Sequence, residues 1–155
     1  MTILPCVLYV FQALPLTPPP RTVATLQAAV LGFVWEGRPA RLLRRVLYRP
    51  KGEGGLAVPC LLQYFQATQL RFLLEWSRLL TEKHWCFMDQ AVAGSHIWKE
   101  PWLCRRHRAG GLYSSPVTGA MLCVWDAVAG RLGLTSFPSL MTPIGANPDF
   151  GRGYT

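Results

Sequence analysis

Apolar residues recur every three to four positions along most of this chain, and the breaks in that rhythm mark its elements. Ile3, Val7, Leu8, Phe11 and Leu14 share one helical face, with Thr2 placed to cap it, Pro5 in a first turn where a missing N–H costs nothing, and Pro15 as its stop. Four prolines between Pro15 and Pro20 form a stiff connector that no helix interior accepts. Helical spacing resumes over 22–35 through Val23, Leu26, Val30 and Phe33 or Val34, and Gly37 is suited to a left-handed stop. From Pro39 to Arg49, Leu42, Leu43, Val46 and Leu47 gather in an arc of roughly 140° opposite the arginines, which predicts a short basic amphipathic helix ended by Pro50. Gly52, Gly54 and Gly55 then predict a tight turn or a close backbone approach.

The strongest pattern runs from Cys60 to Lys83. Leu62, Phe65, Phe72, Leu73, Trp76 and Leu80 line one face and Leu70 and Leu74 a second stripe, leaving a narrow polar face of Tyr64, Thr68, Arg71, Glu75 and Arg78. Glu75 is spaced to pair with Arg71 and Arg78. Residues 84–113 show no clear periodicity and hold Trp85, Trp98 and Trp102, so they read as an irregular connector pinned by aromatic anchors. Ser115-Pro116 starts a last helix through Val117, Met121, Val124, Val128 and Leu132, stopped by Gly133; the Pro-, Gly- and Ser-rich stretch from Thr135 reads as loop. The expectation is a mainly α fold: a small helical bundle with a Pro-rich hinge, an irregular Trp-rich connector and a flexible C-terminal tail, divided as 1–83, 84–113, 114–134 and 135–155.

Length and composition narrow the class. A chain of 155 residues, half apolar and only 15% charged, fits one domain or two small ones with a real core, and argues against disorder or a long coiled coil. The net charge of +8 points to a polyanion such as nucleic acid or an acidic membrane. It is concentrated: Arg38, Arg41, Arg44, Arg45, Arg49 and Lys51 give +6 over 38–51 with no acid, Arg105, Arg106 and Arg108 give +3, and the rest nearly balances. Five cysteines without a Cys-x-x-Cys pair suggest no disulfide framework and an intracellular setting, nucleus or cytoplasm. Neither a signal-peptide pattern nor an apolar run long enough for a membrane span is visible.

The motifs, taken in order, resemble the region after the polymerase palm in reverse transcriptases of LINE-type (non-LTR) retrotransposons. Met1-Thr2-Ile3-Leu4-Pro5 with Leu8-Tyr9 and Phe11-Gln12-Ala13-Leu14-Pro15 resembles that family's Met-x-Ile-Leu-Pro-x-x-Leu-Tyr-x-Phe-x-Ala-Leu-Pro signature. Phe33-Val34-Trp35 with Pro39 and Arg41 is similar to its Phe-Ile-Trp segment and basic continuation. Pro50-Lys51, Gly54-Gly55-Leu56, Pro59, Leu61, Tyr64, Ala67 and Gln69-Leu70 resemble its Pro-Lys-x-x-Gly-Gly-Leu-x-x-Pro block and the helix after it. Val124-Trp125-Asp126, Pro143-Ile144 and Asn147-Pro148-Asp149-Phe150 resemble its downstream helix and Asn-Pro-x-Phe tail. The resemblance implies that 1–83 is a thumb, followed by linker, lying along a template and primer behind a metal-binding palm.

The chain departs from that family where catalysis would sit. Its three aspartates, Asp89, Asp126 and Asp149, include no adjacent pair to hold two metals, and the family's endonuclease and zinc knuckle are missing, so the chain is expected not to be an enzyme and to use no cofactor. Met1 falls inside a family motif, which suggests a reading frame that begins partway through an element. The expected activity is at most binding of RNA or DNA template–primer through 38–51 and 105–108, with Arg38, Arg41, Arg44, Arg45, Arg49, Lys51, Arg105, Arg106 and Arg108 as contacts. No small-molecule substrate and no membrane partner are expected. Other classes stay open: a helical protein-interaction module awaiting a partner such as a palm, a membrane-surface protein using the basic helix, and a translated remnant without function. A zinc site among His84, Cys86, His96, Cys104 and His107 matches no common spacing, His84-Trp85-Cys86 lacks an orienting third group for a nucleophile, and Gly54-Gly55 has no P-loop Lys-Ser/Thr after it.

Overall fold

The computed structural model describes residues 3–14, 17–77, 83–93, 97–134 and 142. Thr2, Pro15, Arg78, Leu80, His96 and the tail beyond Leu134 apart from Thr142 lie outside them, with the expectations placed there. The described residues are mainly helical and contain no strand. They form two compact units divided between Phe65 and Gln66. That division falls inside a helix, whereas composition suggests a boundary at 83.

The first unit contains α1 (Ile3–Ala13), α2 (Pro20–Val34), α3 (Arg44–Tyr48) and the first turn of α4 (Leu61–Trp76). Pro20 occupies the first position of α2, where its fixed φ suits the helix and its missing N–H is not needed. At the other end the Gly37 N–H donates to Gly32 O and the Glu36 N–H to Phe33 O, at 3.0 and 3.2 Å, the paired bonds of a Schellman stop. Gly37 does adopt a left-handed φ of 73°, but the turn begins one residue earlier, at Glu36 with φ 50°. The small core of this unit is Phe11, Leu47, Leu61 and Phe65, with the Phe11 and Phe65 rings edge to face at 5.5 Å. Gln27 on α2 ties the start of α4 in place: its Oε1 accepts from the Leu61 N–H at 2.8 Å, and its Nε2 donates to Pro59 O at 3.2 Å. One amide thus satisfies a helix-start donor that lacks an intrahelical partner.

The second unit holds the remainder of α4, then α5 (His84–Ala93), 3-10 turns at Ile97–Trp102 and Arg105–His107, α6 (Gly110–Ser114) and α7 (Pro116–Arg131). Within the expected irregular connector, 84–113, the described residues thus form a series of short helical pieces. Their periodicity is hidden because α5 exposes Phe87, Met88 and Val92 while burying Cys86, so its apolar residues do not mark its inner face. The core is Leu73, Trp76, Cys86, Ile97, Leu112, Met121 and Leu122. Helix α7 is its centre: Ser115 caps it through the Thr118 N–H, Pro116 opens it, and Gly133 at φ 69° stops it, as the sequence predicts. Arg131 near its end donates to Gln66 Oε1 on α4 at 2.7 Å. Helix α4 is described as far as Trp76, with the Ser77 hydroxyl donating to Leu74 O; residues 78–82 of the stretch expected to run to Lys83 lie outside the described residues. Glu75, expected on the polar face, is buried and its carboxylate meets Lys83 Nζ at 2.8 Å.

Candidate nucleic-acid interface

The run of cations from Arg38 to Lys51 begins outside any helix. Only Arg44–Tyr48 is helical, not the whole of 39–49, and Leu43 before it is extended at φ −64°, ψ 140°. Two physical reasons account for the shortening. Leu42 and Leu43 find no core, at 46% and 67% exposure, so an eleven-residue helix loses the packing it would need. Arginines would also crowd its N-terminal turn, where the helix dipole disfavours positive charge.

After α3 the chain folds back along the helix. Arg49 is extended, Lys51–Glu53 makes a 3-10 turn, and Gly54 at φ 77° reverses the chain. Returning residues then donate into the α3 end: Leu56 N–H to Val46 O at 3.3 Å, Val58 N–H to Leu47 O at 2.8 Å, and Ala57 N–H to Arg49 O at 2.9 Å. Gly55 passes so close that a Cβ there would enter the carbonyl and Cβ of Arg49, which is why the turn requires glycine at this position. The backbone hydrogen bonds and the buried Leu47 side chain hold this hairpin. Its cations are left outside: Arg38, Arg41, Arg44, Arg45, Arg49 and Lys51 are all exposed. None of them makes an ion pair or side-chain hydrogen bond among the described residues. Beside them the Tyr48 hydroxyl is pushed above its usual pKa by burial and by Cys60, with Arg44 pulling it back.

The second cluster separates into different roles. Arg106 is exposed, and Arg105 is exposed with its guanidinium 5.3 Å from the centre of the Tyr113 ring. Arg108, expected as a phosphate contact, is instead a structural residue. Its side chain is 5% exposed and pairs with Asp126 Oδ1 at 2.8 Å. It also donates to Leu103 O at 2.9 Å, Pro101 O at 3.1 Å and the Tyr113 hydroxyl at 2.7 Å. Burial disfavours its charge, but Asp126 and Tyr113 outweigh that, and its pKa is raised. Sequence reasoning missed this because the decisive partner lies eighteen residues away on α7, with no local pattern linking the two.

The same network fixes Trp125, whose Nε1–H donates to Pro101 O at 2.5 Å and whose ring meets Trp102 edge to face at 4.9 Å. Glu100 accepts from the Ala109 N–H at 2.8 Å; burial raises its pKa, opposed by that bond and by Arg108. Asp89 is raised by burial too, against the hydrogen bond from Trp76 Nε1 at 3.2 Å. Among the described residues no three His, Cys, Asp or Glu side chains come together as metal ligands. Nor is any helix among them long and apolar enough to cross a membrane. No protein-family model matches the chain, and no solved structure matches it.

Proposed function

We propose that this chain is a non-catalytic piece of a LINE-type reverse transcriptase, its thumb and adjoining linker, whose retained activity is binding RNA or DNA template–primer through the 38–51 hairpin. The supporting observation is the set of six exposed cations on a backbone-braced turn, with no acid between Arg38 and Lys51. Such a surface neutralises phosphates and releases counterions, giving affinity that falls steeply with salt. Arg105 and Arg106 supply a smaller basic surface in the second unit. The test is binding of a primer–template duplex over a range of salt, with Arg41→Glu and Arg45→Glu as the charge-reversed control; a salt slope that the double variant leaves unchanged removes the proposal.

A second reading, a protein-interaction surface, is favoured by α2. None of its fifteen residues is buried, and Phe33 is 63% exposed. A palm would be such a partner. Association with protein that is insensitive to salt would favour this reading over the first.

A further inference from the structure

The second unit contains a cleft of about 280 Å³ whose walls include both Trp102 and Trp125, whose charged groups are Arg105, Arg108 and Asp126, and which Thr142 and Cys104 also line. We propose that this cleft receives one unpaired nucleotide, its base stacked on the Trp102 indole, its amino group on Asp126 and its phosphate on Arg105.

The volume is just below the range of about 300–1,000 Å³ typical of drug-sized ligands, which suits a single nucleotide. Trp125 packs against the core and meets Trp102 edge to face, so Trp102, half-buried in the cleft wall, is the ring on which a base stacks. Trp125 is held in place by its bond to Pro101 O, so little side-chain freedom is lost when a base arrives. Stacking of this kind accepts any base. The polar groups then discriminate. Asp126 gives Oδ1 to Arg108, while its Oδ2 makes no hydrogen bond among the described residues and the side chain is 36% exposed. A carboxylate oxygen only accepts, so it favours a base with an exocyclic amine, such as adenine, over uracil, whose single N–H is flanked by carbonyls. Because Arg108 already neutralises Asp126, the cleft carries the net positive charge of Arg105. That guanidinium, steadied over the Tyr113 ring, is the phosphate contact.

The site lies outside the 38–51 hairpin and does not depend on it. The test follows the indole N–H signals of the whole chain, which has six tryptophans, by NMR during titration with AMP and with UMP. Saturable shifts are expected only at Trp102 and Trp125, assigned with Trp102→Phe and Trp125→Phe, and UMP should bind roughly tenfold more weakly. Trp102→Leu should cost AMP about tenfold or more, the usual worth of one stacked base. Arg105→Gln should weaken AMP severalfold, and Asp126→Asn, which keeps an oxygen for Arg108, should abolish the preference for AMP over UMP. Arg41→Glu with Arg45→Glu should leave the AMP titration unchanged. Tighter binding of a (dA)4 strand than of AMP would assign the nucleotide to a single strand, and equal binding to a free mononucleotide. No saturable shift up to about 10 mM AMP, or unchanged affinity in both Trp102→Leu and Arg105→Gln, overturns the proposal. The latter two variants decide the matter even if Asp126→Asn does not fold.

Discussion

Replacing Arg108 by alanine should damage the fold of the second unit, in contrast to the same change at either neighbouring arginine. The side chain supplies hydrogen bonds to two carbonyls and a phenol and the partner charge for Asp126. Breaking a buried ion pair from one side costs about 3–5 kcal/mol. Asp126 is 36% exposed and can recover water, which places its part at the lower end. Pro101 O keeps its bond from Trp125, so Leu103 O and the Tyr113 hydroxyl are the other groups left without this donor. The total expected is about 3 kcal/mol, with a fall in Tm of roughly 6–12 °C for a chain of this size. Arg108→Lys should be intermediate, because an ammonium restores the charge opposite Asp126 but not the planar fork that reaches four acceptors. Arg105→Ala and Arg106→Ala should stay within about 0.5 kcal/mol of the parent, as exposed positions do. Thermal and urea unfolding followed by circular dichroism measure all four variants. Equal stability of Arg108→Ala and Arg106→Ala would refute the reasoning, since it would mean that the Arg108 network contributes nothing to the fold.

Other expectations rest on single residues. Gln69 is fully buried and its amide oxygen and nitrogen have no partner among the described residues, so Gln69→Met, of similar shape, should stabilise the chain by about 1–2 kcal/mol in urea unfolding. Gly55→Ala should cost about 1–3 kcal/mol, because its Cβ would meet the Arg49 backbone, and amide exchange should show protection lost at Leu56 and Val58. Asp89 and Glu100 both have raised folded-state pKa values, so each holds its proton more readily folded than unfolded. Stability should therefore lose their contribution as pH rises from the ordinary carboxylate value through the raised one. Asp89→Asn should flatten that part of a stability–pH profile, and a profile identical to that of the parent would contradict the assignment.

The long helices are legible in the sequence where periodicity and punctuation agree: Pro20 opening α2, Ser115-Pro116 opening α7, and Gly133 closing it. Two departures share one cause, the difference between amphipathic spacing and available packing. The 39–43 segment has helical spacing but no surface to cover Leu42 and Leu43, while α5 forms although Phe87, Met88 and Val92 face outward. At the basic clusters, exposure of the 38–51 cations is readable from the lack of any acid nearby. The internal role of Arg108 is not, because it depends on Asp126, Pro101 and Leu103 meeting in three dimensions. Gln27 is equally silent, since a lone glutamine on an exposed helix gives no sign that it will brace the start of another.

The most direct measurement is the salt dependence of duplex binding by the intact chain and by the Arg41→Glu, Arg45→Glu variant, read by fluorescence anisotropy on a labelled primer–template. Each phosphate neutralised contributes about 0.7–0.9 to the slope of log affinity against log salt. The account predicts a slope of several units for the parent and a shallower one, with weaker binding at every salt concentration, for the variant. Equal slopes and equal affinities would contradict the claim that the 38–51 hairpin grips nucleic acid.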